Sequence, residues 1–212
     1  MQTLFIGQNL IELASVDSTN NYVLEMLKKA DVAEGALVWA KEQTGGRGQR
    51  GNTWLSEPHR NLTFSFILLP HLPIENQFYL TKLVSLGIVD FVSGILSQNG
   101  ISCEVRIKKP NDIYVNGQKI SGILIENNIK GHDIVSSIIG IGLNVNQNEF
   151  KHVNNATSLS RISGKNFDLK DCLTNLCEYI EARYLQLKTN KIELLDKDYE
   201  ERSGIFPDHL KR

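Results

Sequence analysis

The stretch KEQTGGRGQRGNTWLSEPHRN, residues 41–61, holds the densest set of groups able to handle an anion. Gly46-Arg47-Gly48-Gln49-Arg50-Gly51 fits G-x-G-x-x-G and follows a strand-like run, Ala36-Leu37-Val38-Trp39-Ala40. A dinucleotide site would need this turn to open a helix whose first turn holds pyrophosphate. Instead Asn52-Thr53-Trp54-Leu55-Ser56-Glu57-Pro58 follows, without a helical apolar period and with a proline that opposes a helix interior. The acidic residue expected about 20 positions on is missing, since none lies between Pro58 and Ile74. A P-loop fails as well, because no Gly-Lys-Ser/Thr follows. What remains is a glycine-rich loop carrying Arg47 and Arg50, with no acidic residue from Gln43 to Ser56. Glycine lets backbone N–H groups approach an anion, and arginine adds a permanent bidentate charge. A plain solvated loop is the competing reading. Structureless loops beyond about 12–15 residues are usually functional or disordered, and Trp54 argues against disorder.

Two other segments carry chemistry. Asp17-Ser18-Thr19-Asn20 precedes a periodic run with Tyr22, Val23, Met26 and Leu27, so Ser18 and Asn20 read first as helix-capping groups. In KKPNDIYVNGQKISGILIE, residues 108–126, Asn116-Gly117 suits a two-residue type I′ hairpin turn. That turn pairs Val115 with Gln118, Tyr114 with Lys119, and Asp112 with Ser121. Alternation then sets Asp112, Tyr114, Lys119 and Ser121 on one face, and Ile113 and Ile120 on the other. Lys119 and Asp112 form either a surface ion pair or a polar site.

The elements that must hold these groups are legible in outline. Strands are expected over 10–14, 36–40, 62–69, 101–107 and 134–143, with the hairpin between the last two. Helices are expected from residue 18, over 77–97, and from the Asp168 cap through Leu169, Cys172, Leu173, Leu176, Ile180 and Leu187. The apolar run from Phe78 to Leu96 is interrupted by Lys82 and Asp90 and reads as a buried helix, not a membrane span. Strands and helices mix around one sheet, which predicts a single α/β or α+β domain. A net charge of -1 offers no bulk attraction to nucleic acid or anionic membrane. Cys103, Cys172 and Cys177 show no metal or disulfide spacing and read as reduced core thiols in a cytoplasmic protein. No basic segment with an apolar run opens the sequence, so no signal peptide is expected.

The loop resembles the adenylate loop of the biotin protein ligases. Three further segments agree with that family in order and spacing: DSTN at 17–20, KKPNDIYVNGQKISGILIE at 108–126, and GIGLNVN at 140–146. The match covers roughly residues 10–187. The resemblance implies a mixed sheet with flanking helices, similar to lipoate ligases and class II aminoacyl-tRNA synthetases. It implies an ATP-dependent ligase that makes biotinyl-5′-AMP and passes biotin to a lysine of a biotin carboxyl carrier protein. It assigns Lys119, Arg47 and Asn111 to catalysis, and Ser18, Thr19, Asn20, Gln43, Arg47, Gly48, Gln49 and Lys119 to biotin. ATP and adenylate fall to Gly46, Arg47, Arg50, Trp54, Asn111, Asp112 and Asn144, with Asp112 on Mg²⁺. With a net charge of -1 and no basic helix, neither a DNA nor a membrane partner is expected, and a homodimer is compatible with the resemblance.

The chain departs from the family pattern in three places. Relatives usually read Arg-Gly-Arg where this chain has Arg47-Gly48-Gln49, which weakens one phosphate contact or moves it to Arg50. Relatives usually read Lys-Trp-Pro-Asn-Asp where this chain has Lys108-Lys109-Pro110-Asn111-Asp112; the tryptophan removed is worth about 1–3 kcal/mol of burial. The small C-terminal β-barrel domain usual in bacterial relatives and the N-terminal helix-turn-helix of repressor-type members are also not expected. The catalytic domain is therefore drawn as 1–190, with 191–212 a helix or tail. A weakly active biotin- or adenylate-binding relative and a lipoate-type acyl ligase are the alternatives.

Overall fold

The computed structural model describes residues 3–151, 153 and 155–204. In chain order the elements are β1 (Leu10–Leu13), α1 (Thr19–Lys29), β2 (Leu37–Ala40), β3 (Leu62–Leu68), β4 (Leu72–Pro73), α2 (Phe78–Gln98), β5 (Val105–Lys108), β6 (Asp112–Val115), β7 (Gln118–Lys130), β8 (Asp133–Leu143), α3 (Leu159–Ser163), α4 (Leu169–Lys188) and α5 (Ile192–Arg202). The sheet runs β1-β2-β3-β8-β7-β6-β5, with β4 alongside β8. Only β1 and β2 are parallel; the other pairs are antiparallel. The expected α/β mixed sheet with flanking helices is the observed fold.

Strand alternation divides the sheet into two faces. On one face Leu62, Phe64, Phe66 and Leu68 of β3 and Ile139, Ile141 and Leu143 of β8 pack with α2, α4 and α5 in the main core. On the other, Val38, Ile67 and Ile138 meet Val23 of α1 in a small cluster. The central strands are therefore buried on both faces and read as near-continuous apolar runs. Helix α1 packs over β2, β3 and β8, and the rest of its face is left for the site.

Helix α2 is long and apolar enough to cross a membrane, yet most of it is buried within the fold. Its two charged residues point to partners on neighbouring helices. Lys82 Nζ lies 2.5 Å from Asp196 Oδ1 of α5. Asp90 takes 2.7 Å from Arg183 Nε of α4 and 2.9 Å from Arg202 Nη1 of α5.

The hairpin turn forms as expected, with φ of 48° at Asn116 and 78° at Gly117. The register beyond it differs from expectation. Val115 faces Gln118 and Tyr114 faces Lys119, but a bulge follows, so Ile113 faces Ser121 and Asp112 faces Gly122. One extra residue on β7 shifts every later side chain to the other face. Ser121 is therefore fully buried and donates to the Gly142 carbonyl, instead of joining Asp112 and Lys119. The strand expected over 101–107 is shorter, beginning at Val105.

Candidate active site

An open cleft of about 250 Å³ lies on the α1 face of the sheet. Its floor is made by absent side chains. The bulge sets Gly122 of β7 beside Asp112 and opposite Gly142 of β8, while Leu124 faces Gly140. A Cβ at Gly142 would lie 2.2 Å from the Trp54 indole, and one at Gly140 would lie 2.1 Å from Asn20 Oδ1. The glycines are thus the notches into which Trp54 and Asn20 settle.

The loop of residues 43–60 forms one wall, and it is anchored. Thr44 and Gly45 donate backbone N–H groups to Val16 and Asp17, Gly48 donates to Asn52, and Trp54 donates to Gly46. Gly46 must stay small because a Cβ there would come within 2.3 Å of the Trp54 carbonyl. The backbone turns left-handed at the tip, with φ of 55° at Arg50 and 80° at Gly51, and again near the end of the loop, with φ of 61° at His59. At the loop's base a buried amide, Asn61, donates to Gln147 Oε1 at 2.5 Å and accepts the Val145 N–H at 3.0 Å.

At the α1 end, Ser18 occupies the cap position but makes no side-chain cap bond. Gln43 from the loop does this work instead. Its Oε1 accepts the Thr19 N–H at 2.8 Å and is 3.1 Å from Thr19 Oγ1. Side chains of Asn21 and then the Ser18 N–H hold the Asp17 carboxyl below its ordinary range. At the hairpin end Lys119 Nζ is 2.7 Å from Asp112 Oδ1 and 5.6 Å from the Trp54 ring centroid. The Lys119 backbone is fixed on its free side by the 155–157 segment, through bonds to Asn155 and Thr157. Asn111 donates to the Ile123 carbonyl at 2.9 Å.

Arg47 carries a bidentate pair with Glu126, at 2.7 Å and 3.1 Å, and a 2.8 Å bond to Asn21 Oδ1. Arg50 is exposed and has no ion-pair partner among the described residues. Lys109, standing where an aromatic was expected, reaches Glu200 at 2.7 Å and lies over the Tyr199 ring. Tyr199 of α5 also donates to the Pro110 carbonyl, so this segment packs against an aromatic supplied from another element.

Of the residues singled out in the sequence, Ser18, Thr19, Asn20, Gln43, Arg47, Gly48, Gln49, Arg50, Trp54, Asn111, Asp112 and Lys119 line this cleft. Gly46 supports the loop from behind. Asn144 lies off the cleft wall, buried, with Nδ2 on the Thr157 carbonyl at 3.0 Å. Sequence reading overlooked Glu126, Ser65 and the Gly122/Gly140/Gly142 floor. The glycines were visible as strand glycines, which mark a close approach; Ser65 and Glu126 carried no local signal.

A cleft lined by Arg47, Arg50 and Lys119, with a glycine floor and a pinned Gly/Arg loop, can receive an anionic ligand. Residues 12–144 match the biotin/lipoate A/B protein ligase family, and the chain belongs to it. Within the family its likeness is to the biotin protein ligases. It is 36% identical over 208 residues to the bifunctional ligase/repressor BirA of Bacillus spizizenii, covering 94% of this chain and 62% of that protein. It superposes on the biotin protein ligase of Aquifex aeolicus in complex with biotin and ATP with a TM-score of 0.77 and 33% identity, over 92% of this chain and 78% of that one. The biotin protein ligase of Leishmania major in complex with biotinyl-5-AMP gives a TM-score of 0.74 at 26% identity, over 93% and 82%. The chain thus spans less than two thirds of the length of the BirA relative.

Proposed function

We propose that this chain activates biotin with ATP and transfers it to a lysine of a biotin carboxyl carrier protein. The carrying observation is that Arg47, Arg50 and Lys119 line one glycine-floored cleft together with Gln43 and Thr19. The named complexes of the Aquifex and Leishmania relatives support the choice of biotin and its adenylate. In the first step a biotin carboxylate oxygen attacks the α-phosphorus, the new C–O–P bond forms, and pyrophosphate leaves with the old P–O bond. In the second the acceptor amine attacks the acyl carbon, AMP departs with its oxygen, and the amine proton goes to solvent. The first step brings anions together, so preorganised cations and N–H donors are the main need.

Lys119 and Arg47 answer that need at the reacting carboxylate and α-phosphate, with Arg50 free for a further phosphate oxygen. Gln43, Thr19 and Asn20 offer donors and acceptors to the ring end of biotin. Trp54 walls the ligand. Mg²⁺ bound with nucleotide usually takes only one or two carboxylates beside phosphate and water. Asp112 supplies one carboxylate at the cleft, which fits such an ion, and when bound it would offset phosphate charge. Asn144 would serve the adenine side only through the strand end it braces. Residues 1–190 carry the site residues on this reading, and α5 packs onto them through Leu195 and Tyr199.

Exchange of radiolabelled pyrophosphate into ATP tests the proposal. It should require biotin and should not be supported by lipoate. Exchange with lipoate alone would assign the chain to the other branch of the family, and exchange with neither acid would refute the activity.

A further inference from the structure

Arg47 faces the cleft, but Glu126, which holds it, is not part of the cleft wall. Glu126 sits on β7 in the cross-strand row of Ile138 and Ile67, at the edge of the small core under α1. From there its carboxylate meets the guanidinium from behind. A guanidinium has five N–H donors. Glu126 and Asn21 take two on Nη1 and one on Nη2. The Nε–H and the second Nη2 hydrogen remain, and these form the other bidentate edge of the same group. Arg47 can therefore stay paired with Glu126 and still clamp an oxyanion.

Glu126 is itself held. Its Oε2 accepts Asn20 Nδ2 at 2.8 Å; Asn20 Oδ1 accepts Ser65 Oγ at 2.6 Å; Ser65 Oγ is 2.6 Å from Thr19 Oγ1, which reaches Gln43. Asn20, Ser65 and Thr19 are all buried. Two hydroxyl protons serve three contacts here. The 3.1 Å Thr19–Gln43 contact is the one that yields, since Gln43 keeps the Thr19 N–H. The protons then run from Thr19 to Ser65 to Asn20, and the amide passes the order on to Glu126. Gly140 leaves the space that Asn20 needs to cross β8.

We propose that Glu126 is the positioning residue for Arg47, and that the buried Thr19–Ser65–Asn20 chain sets it. Gln43, Thr19 and the arginine, all on the cleft wall, are thereby fixed by one continuous network. A buried, fully connected network of this kind rigidifies what it holds. Arg47 acts on an anion only if its free edge is aimed, and a misplacement of about 1 Å can cost about 10²-fold in rate.

The inference rests on the ligase reading for its kinetic arm, and a second arm stands without it. In ligand-free protein, amide exchange of residues 44–54 should speed up in Glu126→Ala and in Arg47→Ala, with the double variant no faster than either. In pyrophosphate exchange, Glu126→Ala should lower kcat by about 10²-fold with KM for biotin little changed, because Gln43 and Thr19 remain. The Arg47→Ala/Glu126→Ala double should be no slower than Arg47→Ala. Glu126→Gln keeps one acceptor oxygen but sets an NH2 where the carboxylate accepted from Arg47 or Asn20, so it should fold and recover only part of the rate. Additive losses, or unaltered loop exchange in Glu126→Ala, would overturn the assignment. Absence of biotin-dependent exchange in the wild-type protein would remove the ligase reading alone, leaving the amide-exchange arm to decide the role of Glu126.

Discussion

At the scale of single residues, Lys119 is the group whose removal separates chemistry from structure. Turn geometry alone sets it near Asp112, and the two lie 2.7 Å apart. In the proposed reaction its ammonium would offset charge between carboxylate and α-phosphate, a role worth about 2.7–4 kcal/mol for a preorganised donor. Lys119→Ala should therefore slow adenylate formation by about 10²–10³-fold with a small change in unfolding midpoint, since the Lys119 backbone bonds to Asn155 and Thr157 do not need the side chain. Normal pyrophosphate exchange in this variant would move the reacting carboxylate elsewhere. Gly142→Ala tests the floor. Its methyl would meet the Trp54 indole, and overpacking of that kind costs about 1–3 kcal/mol. A shifted Trp54 emission spectrum with weaker ligand binding is expected; unchanged emission would mean the notch has room. The hairpin shows what the sequence could and could not yield at this scale. Asn116-Gly117 encodes the turn and the first two pairs, because those depend on local φ preferences. The bulge after Lys119 depends on which side chains the core takes up, so the Asp112–Ser121 pair failed. Glu126 escaped for a related reason: its meaning comes from Arg47, 79 positions away.

At the scale of elements, α2 carries the most information in its two interruptions. Lys82 and Asp90 broke an apolar run that otherwise resembled a membrane segment, and each marks where another helix docks. The two contacts differ in burial, and so should their energies. Arg183 is held between Asp90 and Asp198 with only 11% of its side chain exposed. Asp90→Ala would leave Arg183 with Asp198 as its carboxylate partner and remove the Arg202 contact, so the loss should approach, without reaching, the roughly 3–5 kcal/mol of a buried pair broken outright. Asp196 is 41% exposed opposite Lys82, itself 16% exposed, so Asp196→Ala should cost less than Asp90→Ala, nearer the roughly 1 kcal/mol of a surface pair. Urea unfolding of the two variants checks the contrast; equal losses would show that the helices dock without help from the buried arginine. The long loop followed another course. Its glycines and length pointed to function. The structure pins its base at Val16, Asp17 and Asn61, which no local pattern announces. Ligand-induced protection from amide exchange should therefore concentrate at the tip, residues 49–52, and be weak at 44–46. Uniform protection along the loop would indicate that the base also opens.

At the scale of the whole molecule, the hydrophobic pattern delivered the layers, since central strands buried on both faces and an apolar helix leave few other packings. The same depth of burial gives the protein an alkaline limit. Burial, with the Asp168 and Asp171 charges, pushes the Cys172 thiol up to about 12, and burial with the Glu181 and Glu178 charges does the same for Cys177. Burial raises Tyr114 and Tyr199 to about 12 as well, with Asp112 and Glu200 adding to it. These groups sit on β6, α4 and α5, so global unfolding exposes them together. A raised folded pKa means that the folded state keeps a proton the unfolded chain has lost. The associated stability is complete below the thiols' ordinary value of 9.0 and drains away as pH climbs toward about 12. Each such group steepens the fall by up to about 1.4 kcal/mol per pH unit. The urea midpoint should hold steady up to about pH 8 and drop clearly by about pH 10.5. Cys177→Val should lower stability modestly at neutral pH through imperfect packing, yet make the alkaline slope shallower, because one proton no longer differs between the states. An identical slope in that variant would show that the Cys177 thiol ionises as readily in the folded protein as in the unfolded chain, and that the alkaline loss belongs to the tyrosines and Cys172.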